Sequence, residues 1–147
     1  AAKVLILAYN HAAVTWMTAR RLREACKVLS KAMLLTHARC PYLGGGSLRP
    51  HLRALTLNNL GCVMKIWKRP RVGLRYLKAA LSIEKRHPPA DGTSGTHLNC
   101  ASAMSALGMH ADAAWHAHAA VEILQQAKLQ RQQQEQQERR AAANDGS

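Results

Sequence analysis

The sequence predicts an all-α protein made of antiparallel helix pairs. Ala and Leu dominate its apolar residues, aromatic residues make up 4% of the chain and Phe is absent. Good helix formers are therefore abundant and strand formers are few. Apolar residues also recur at helical spacing in several stretches, and two segments rich in Gly and Pro separate these stretches. Together these features predict three helix pairs joined by two longer loops.

The first two pairs follow from apolar periodicity. In the first pair one helix carries its apolar face from Leu5 to Trp16, and its partner carries one from Leu22 to Met33. Residues 40–50 form a loop, because three consecutive glycines are unfavourable in a helix. The second pair is predicted at residues 52–66 and from Pro70 to about residue 86.

The third pair and the C-terminal segment differ in composition. Residues 88–95 form the second loop, and helices are predicted at residues 96–107 and from about Ala111, with a turn at Gly108. Residues 125–137 contain eight glutamines, which indicates a polar helical extension or a frayed tail. Residues 141–147 are expected to be disordered.

A repeat is visible when Leu60 and Gly61 are used as an anchor. Leu57, Leu60, Gly61 and Met64 in the first helix, with Leu77 in the second, resemble the tetratricopeptide repeat, a motif of 34 residues. The same register fits residues 6–39, 54–87 and 94–127, whose starts are 48 and 40 residues apart because the two loops are inserted between repeats. The resemblance covers roughly residues 6–127. The predicted repeat domain is residues 1–127, followed by a Gln-rich helical extension and disordered tail at residues 128–147.

Small residues occupy all nine positions at which this motif brings helices together. Ala or Gly at such positions permits close backbone approach. In a chain rich in Ala, some of these matches are expected by chance. The nine residues are Ala13, Ala25, Ala32, Gly61, Gly73, Ala80, Ala101, Ala113 and Ala120. The resemblance implies helix pairs stacked into a right-handed α-solenoid, followed by the long polar C-terminal helix. The proline usual near the end of the motif is missing, and the third repeat departs most from the pattern.

The resemblance also implies a peptide-binding groove lined by the first helix of each repeat. An Asn amide in such a groove offers both donor and acceptor groups to an extended peptide; a surface Asn bonded to water is the alternative. The cations that clamp a peptide carboxylate in related domains are absent. The predicted groove residues are Asn10, His11, Val14, Asn58, Asn59, Cys62, Lys65, Asn99 and Ser102.

The formal net charge of +13 favours acidic partners, although an ordinary basic surface would also account for it. Two basic clusters fall at the turns inside the first two repeats, so stacking would align them along one edge. This basic edge comprises Arg20, Arg21, Arg23, Lys68, Arg69, Arg71 and Arg75. It could contact phosphate or an acidic protein surface, or simply be a solvated turn.

No motif in the sequence indicates catalysis or a cofactor. The four cysteines lack zinc-type spacing, and Gly44–Ser47 lacks the lysine of a phosphate-binding loop. His116 and His118 point to different helix faces, so we expect neither metal nor cofactor. No apolar run is long enough for a membrane helix, and there is no signal-peptide pattern, so a cytoplasmic protein without membrane contact or small-molecule substrate is expected.

Three functions are compatible with the sequence. The first is a non-catalytic scaffold that binds an extended or acidic protein segment in the groove. The second is phosphate-directed RNA or DNA binding through the basic edge, without a base-reading code because the repeats are irregularly spaced. A regulatory region of a longer enzyme is a third possibility.

Overall fold

The fold consists of six α-helices, and the residues described by this computed structural model, 1–146, contain no β-strand. The all-α prediction is confirmed. Each odd-numbered helix packs most extensively against the helix that follows it, and consecutive pairs also contact each other, an arrangement compatible with a helical repeat. The helices are α1 (Ala2–Thr18), α2 (Leu22–Leu35), α3 (Leu48–Ile66), α4 (Pro70–Arg86), α5 (Ser94–Ala106) and α6 (His110–Asp145).

The turn inside each helix pair has the same geometry. Arg20, Lys68 and Gly108 occupy the left-handed region, with φ of 61°, 62° and 74°. In each turn the following amide donates to a carbonyl five residues back, which satisfies the end of the first helix in a Schellman motif. These bonds run from Arg21 to Trp16 at 2.8 Å, from Arg69 to Met64 at 2.8 Å and from Met109 to Met104 at 2.9 Å. The turns lie 48 and 40 residues apart, as the sequence repeats do.

Small residues lie where the helices meet. Of the nine predicted positions, eight are buried and only Ala101 is half-buried. Helices α3 and α4 approach each other closely, because a Cβ atom added at Gly73 would lie 2.7 Å from the carbonyl oxygen of Gly61. Such a distance excludes any side chain larger than hydrogen without movement of a helix, so these two glycines set the α3–α4 spacing.

The first inserted loop is attached to the core. Leu43 is buried in a cluster with Ile6 and Leu52. The guanidinium group of Arg49 donates to the carbonyl oxygens of His37, Cys40 and Leu43. Backbone carbonyls of a loop need such donors when no ladder satisfies them. The insertion is therefore a fixed part of the fold at the start of α3.

The last helix projects beyond the packed domain. Ala120 is its last buried residue, and every described residue from 128 onward is exposed. Gln, Glu, Arg and Ala are good helix formers, so nothing interrupts α6 before Gly146. The helix continues to Asp145, in contrast to the disorder expected for residues 141–147; Ser147 lies outside the described residues. No helix within residues 1–146 has the length and apolarity to cross a membrane.

Candidate functional site

The predicted groove residues all lie on one layer of the structure, formed by α1, α3 and α5. Helix α3 contacts both α1 and α5, so the layer is continuous. His11, Val14 and Ser102 are exposed, and the rest of the predicted set, apart from Asn10, is half-buried. The half-buried residues are Asn58, Asn59, Cys62, Lys65 and Asn99.

Asn10 is buried and therefore not available to a ligand. The expectation that this predicted groove residue is exposed is wrong. Its side chain is 3% exposed because α1 packs against α3 at this point. Its Nδ2 donates to Ile6 O at 2.9 Å and to Thr56 Oγ1 at 3.0 Å, while its Oδ1 accepts from Asn59 Nδ2 at 2.8 Å. A buried amide with three such bonds holds two helices in register.

The other amides of the layer bond to each other as well. Asn99 Nδ2 on α5 donates to Asn58 Oδ1 on α3 at 3.0 Å. Lys65 Nζ donates to Ser102 Oγ at 3.0 Å across the same two helices. These polar side chains therefore tie the three helices of the layer together, a role that competes with the predicted role in peptide binding.

Exposed apolar side chains are the other feature of this layer. Leu7, Val14, Leu55 and Leu98 each expose more than a third of their surface. Cys62 lies between α1 and α5 on this face, and burial raises the pKa of its thiol. The thiol is therefore neutral and adds to the apolar character of the layer.

A depression of about 460 Å³ connects this layer to the basic edge. Val14, Met17 and Ile66 give it apolar walls, and Arg20 and Lys65 place two cations at its rim. The turn geometry explains the position of Arg20, because the Schellman motif turns the chain at the end of α1. The residues lining the depression are Val14, Met17, Thr18, Arg20, Cys62, Lys65 and Ile66.

The seven residues of the basic edge are all exposed and lie at the first two turns, at the start of α2 and in the first part of α4. Arg21 forms an ion pair with Glu24 at 3.1 Å, the one ion pair that involves this edge among the described residues. The guanidinium groups of Arg21 and Arg69 lie over the rings of Trp16 and Trp67, at 6.0 Å and 5.3 Å from the ring centroids. The edge is thus charged, accessible and partly held in place by aromatic rings.

A buried histidine pair lies between α5 and α6 and is not among the residues predicted from the sequence. His97 on α5 and His116 on α6 are 5% and 9% exposed, and their Nδ1 atoms are 2.9 Å apart. Burial is the main cause that lowers the pKa of both imidazoles, with nearby positive charge as a further cause. Both residues lie on inward faces of neighbouring helices. A polar residue at an inward position of each helix is the sequence feature that could have identified the pair. No three His, Cys, Asp or Glu side chains in residues 1–146 are placed to hold a metal ion.

The three helix pairs repeat one local geometry. Three turns share one hydrogen-bond pattern, and the small residues recur in the same register. The chain matches no family model, no curated protein and no solved structure.

Proposed function

We propose that the chain is a tetratricopeptide-type array of three repeats, stacked as a right-handed α-solenoid, that acts as a non-catalytic scaffold for other proteins. The identical turns at Arg20, Lys68 and Gly108 support the repeat assignment. The buried small residues support the close stacking that such an array requires. The continuous layer of α1, α3 and α5 is the surface on which an extended segment would lie.

The depression between α1 and α3 is the observation that carries this proposal. It combines an apolar wall at Val14 and Ile66 with two cations, Arg20 and Lys65, at one rim. An apolar side chain would gain by entering it, at roughly 25 cal/mol per Å² of apolar surface removed from water. A carboxylate next to that side chain would meet the cations. The bound segment therefore carries an apolar residue beside an acidic one.

Peptide selection tests this proposal directly. A displayed library of random peptides would be selected on the whole chain and on a variant with Val14→Glu and Lys65→Glu. We expect peptides with an apolar residue beside an acidic one to be enriched on the chain and lost on the variant. Val14→Glu places a charge on the apolar wall of the depression, and Lys65→Glu replaces a cation at its rim with an anion.

A matched control is Ser30→Glu with Lys31→Glu on α2, which makes the same charge change at exposed positions away from the layer. Selected peptides should still bind this control. Equal binding to all three proteins, or no enrichment on the unmodified chain, would refute the groove.

Phosphate-directed RNA or DNA binding through the basic edge is the second candidate, and one observation favours it. Arg20 and Lys68 hold left-handed backbone conformations that cost a non-glycine residue roughly 1 kcal/mol. Gly108 occupies the same position in the third turn without that cost. Cations kept at strained, exposed positions are a reason to assign them a function.

A salt titration distinguishes this candidate from the first. If the edge binds phosphates, affinity for single-stranded RNA should fall steeply with salt, and the slope should decrease in a variant with Lys68→Gly and Arg71→Gln. Negligible RNA affinity at low salt would eliminate this candidate and leave the groove unaffected.

A further inference from the structure

A cleft separates α4 from α6 on the side of the molecule formed by the second helices of the repeats. No Cα atom of one of these helices lies within 8 Å of a Cα atom of the other, and α5 packs against both. The cleft has a volume of about 460 Å³, within the range of small-ligand sites. Leu81 contributes to its base, and six polar or aromatic side chains surround it: Lys78, Ser82, Lys85, Arg86, Trp115 and His116.

One wall of the cleft is strongly positive. Lys78 and Lys85 lie seven residues apart on α4, which places them on one face about two helical turns apart. Arg86 adds a third cation, and its Nε donates to Ser82 O at 3.3 Å, which holds the guanidinium group beside the cleft. None of the three belongs to either ion pair formed by the described residues.

The opposite wall presents an indole ring. Trp115 is 60% exposed, although large aromatic side chains usually bury most of their surface. Its ring makes edge contacts with His97 at 6.0 Å and His116 at 4.9 Å between centroids. These contacts fix the orientation of the ring while leaving much of it accessible from the cleft.

His116 lines the cleft on the α6 side, and His97 of α5 lies behind it. His116 faces Lys78 and Lys85 on α4, and Asp112 on α6 is the acidic group that acts on it. After burial, the positive charges of Lys85 and Lys78 lower the pKa of His116 further. The base of the cleft is thus a positive environment that an anion would relieve.

We propose that this cleft binds a nucleotide, with the base against Trp115 and the phosphate between Lys78, Lys85 and Arg86. Base stacking on an exposed aromatic ring and charge-assisted bonds to phosphate are the two interactions that such a ligand offers together. Inorganic phosphate would use the cations alone, so the indole distinguishes a nucleotide from a simple anion. The site lies away from the depression between α1 and α3 and does not depend on it.

Nuclear magnetic resonance of the whole chain tests the site. The probes are adenosine monophosphate, inorganic phosphate and a short uridine homopolymer. The indole N–H signal of Trp115 is assigned by its loss in Trp115→Phe. We expect the nucleotide to shift this signal and the ring signals of His116, and inorganic phosphate to shift His116 without Trp115.

Charge variants provide the affinity test. Lys78→Gln with Lys85→Gln should weaken nucleotide binding about tenfold, since two charge-assisted bonds are lost. Lys3→Gln with Lys27→Gln removes the same charge at exposed positions outside the cleft and should leave binding nearly unchanged.

The same titrations distinguish a nucleic-acid strand from a free nucleotide as the ligand. A larger Trp115 shift at lower concentration with the homopolymer identifies a strand, and saturation by the mononucleotide alone identifies a free nucleotide. Equal weakening in both lysine pairs, shifts confined to the indoles of Trp16 and Trp67, or no shift with any probe would overturn the proposal.

Discussion

The backbone of Gly73 on α4 passes so close to Gly61 on α3 that a Cβ atom at Gly73 would lie 2.7 Å from the Gly61 carbonyl oxygen. The contact is between two backbones, so no side-chain rotation can relieve it. The most extensively packed helix pair of the molecule therefore depends on two residues without side chains.

Gly73→Ala should destabilise the fold for this reason. We expect a loss of about 1 to 3 kcal/mol in the free energy of unfolding, the usual cost of overpacking, as measured by chemical denaturation. Gly95→Ala is the matched control, because Gly95 lies in α5 with nothing within 4 Å of its added Cβ. That substitution should be neutral or stabilising by up to about 1 kcal/mol. Similar losses for both would show that the close approach is not limiting.

Substitutions at equivalent positions of two left-handed turns should change the free energy of unfolding in opposite directions. Lys68→Gly should stabilise the chain by about 0.5 to 1 kcal/mol, because glycine adopts positive φ without steric cost. Gly108→Ala should destabilise it by about 1 kcal/mol for the converse reason. Thermal unfolding of both variants measures the signs. A destabilising Lys68→Gly would mean that the lysine side chain contributes more to stability than its backbone strain costs.

Substitution of Asn10 should lower the free energy of unfolding by more than its place among the predicted groove residues would indicate. Asn10→Ala removes three hydrogen bonds and leaves the buried oxygen of Thr56 without this donor, at a cost of about 1 to 3 kcal/mol. Asn58→Ala, at a half-buried residue with one such bond to Asn99, should cost about 1 kcal/mol or less. Denaturant titrations compare the two. Equal costs would indicate that burial of the amide is not the deciding factor.

The sequence was sufficient for the features that depend on local spacing. The resemblance to the tetratricopeptide motif predicts Gly61 and Gly73 at the helix seam, because small residues recur at the fixed offsets of that motif. The bond between Asn10 and Asn59 was not predictable in this way. It joins residues 49 apart in the chain, and its geometry depends on how far α3 is rotated against α1 after the inserted loop.

The candidate sites also differ in how far local spacing in the sequence predicts them. The exposure of Arg20 and Lys68 follows from their place in a turn, which the basic run already indicated. The cleft beside Trp115 requires the separation of α4 and α6, which no periodicity specifies. His97 and His116 each occupy an inward position, but only their packing brings the two rings into contact.

The histidine pair predicts that the fold weakens on acidification. Both pKa values are lowered in the folded chain from the ordinary value of 6.5. The unfolded chain then binds more protons than the folded one below about pH 6.5, so the free energy of unfolding falls as the pH drops through this window. The loss is complete once the pH lies below the lowered pKa values. Urea denaturation between about pH 7 and pH 5 measures this slope.

A variant with His97→Gln and His116→Gln isolates the contribution of the pair. Glutamine keeps polar atoms in place but does not titrate, so the slope should be smaller in the variant. Glu84 acts in the opposite direction, because burial raises the pKa of its carboxyl group and the folded chain gains a proton there first. That contribution is present in both proteins and cancels in the difference. Parallel pH curves for the two proteins would show that the pair does not titrate within the folded structure.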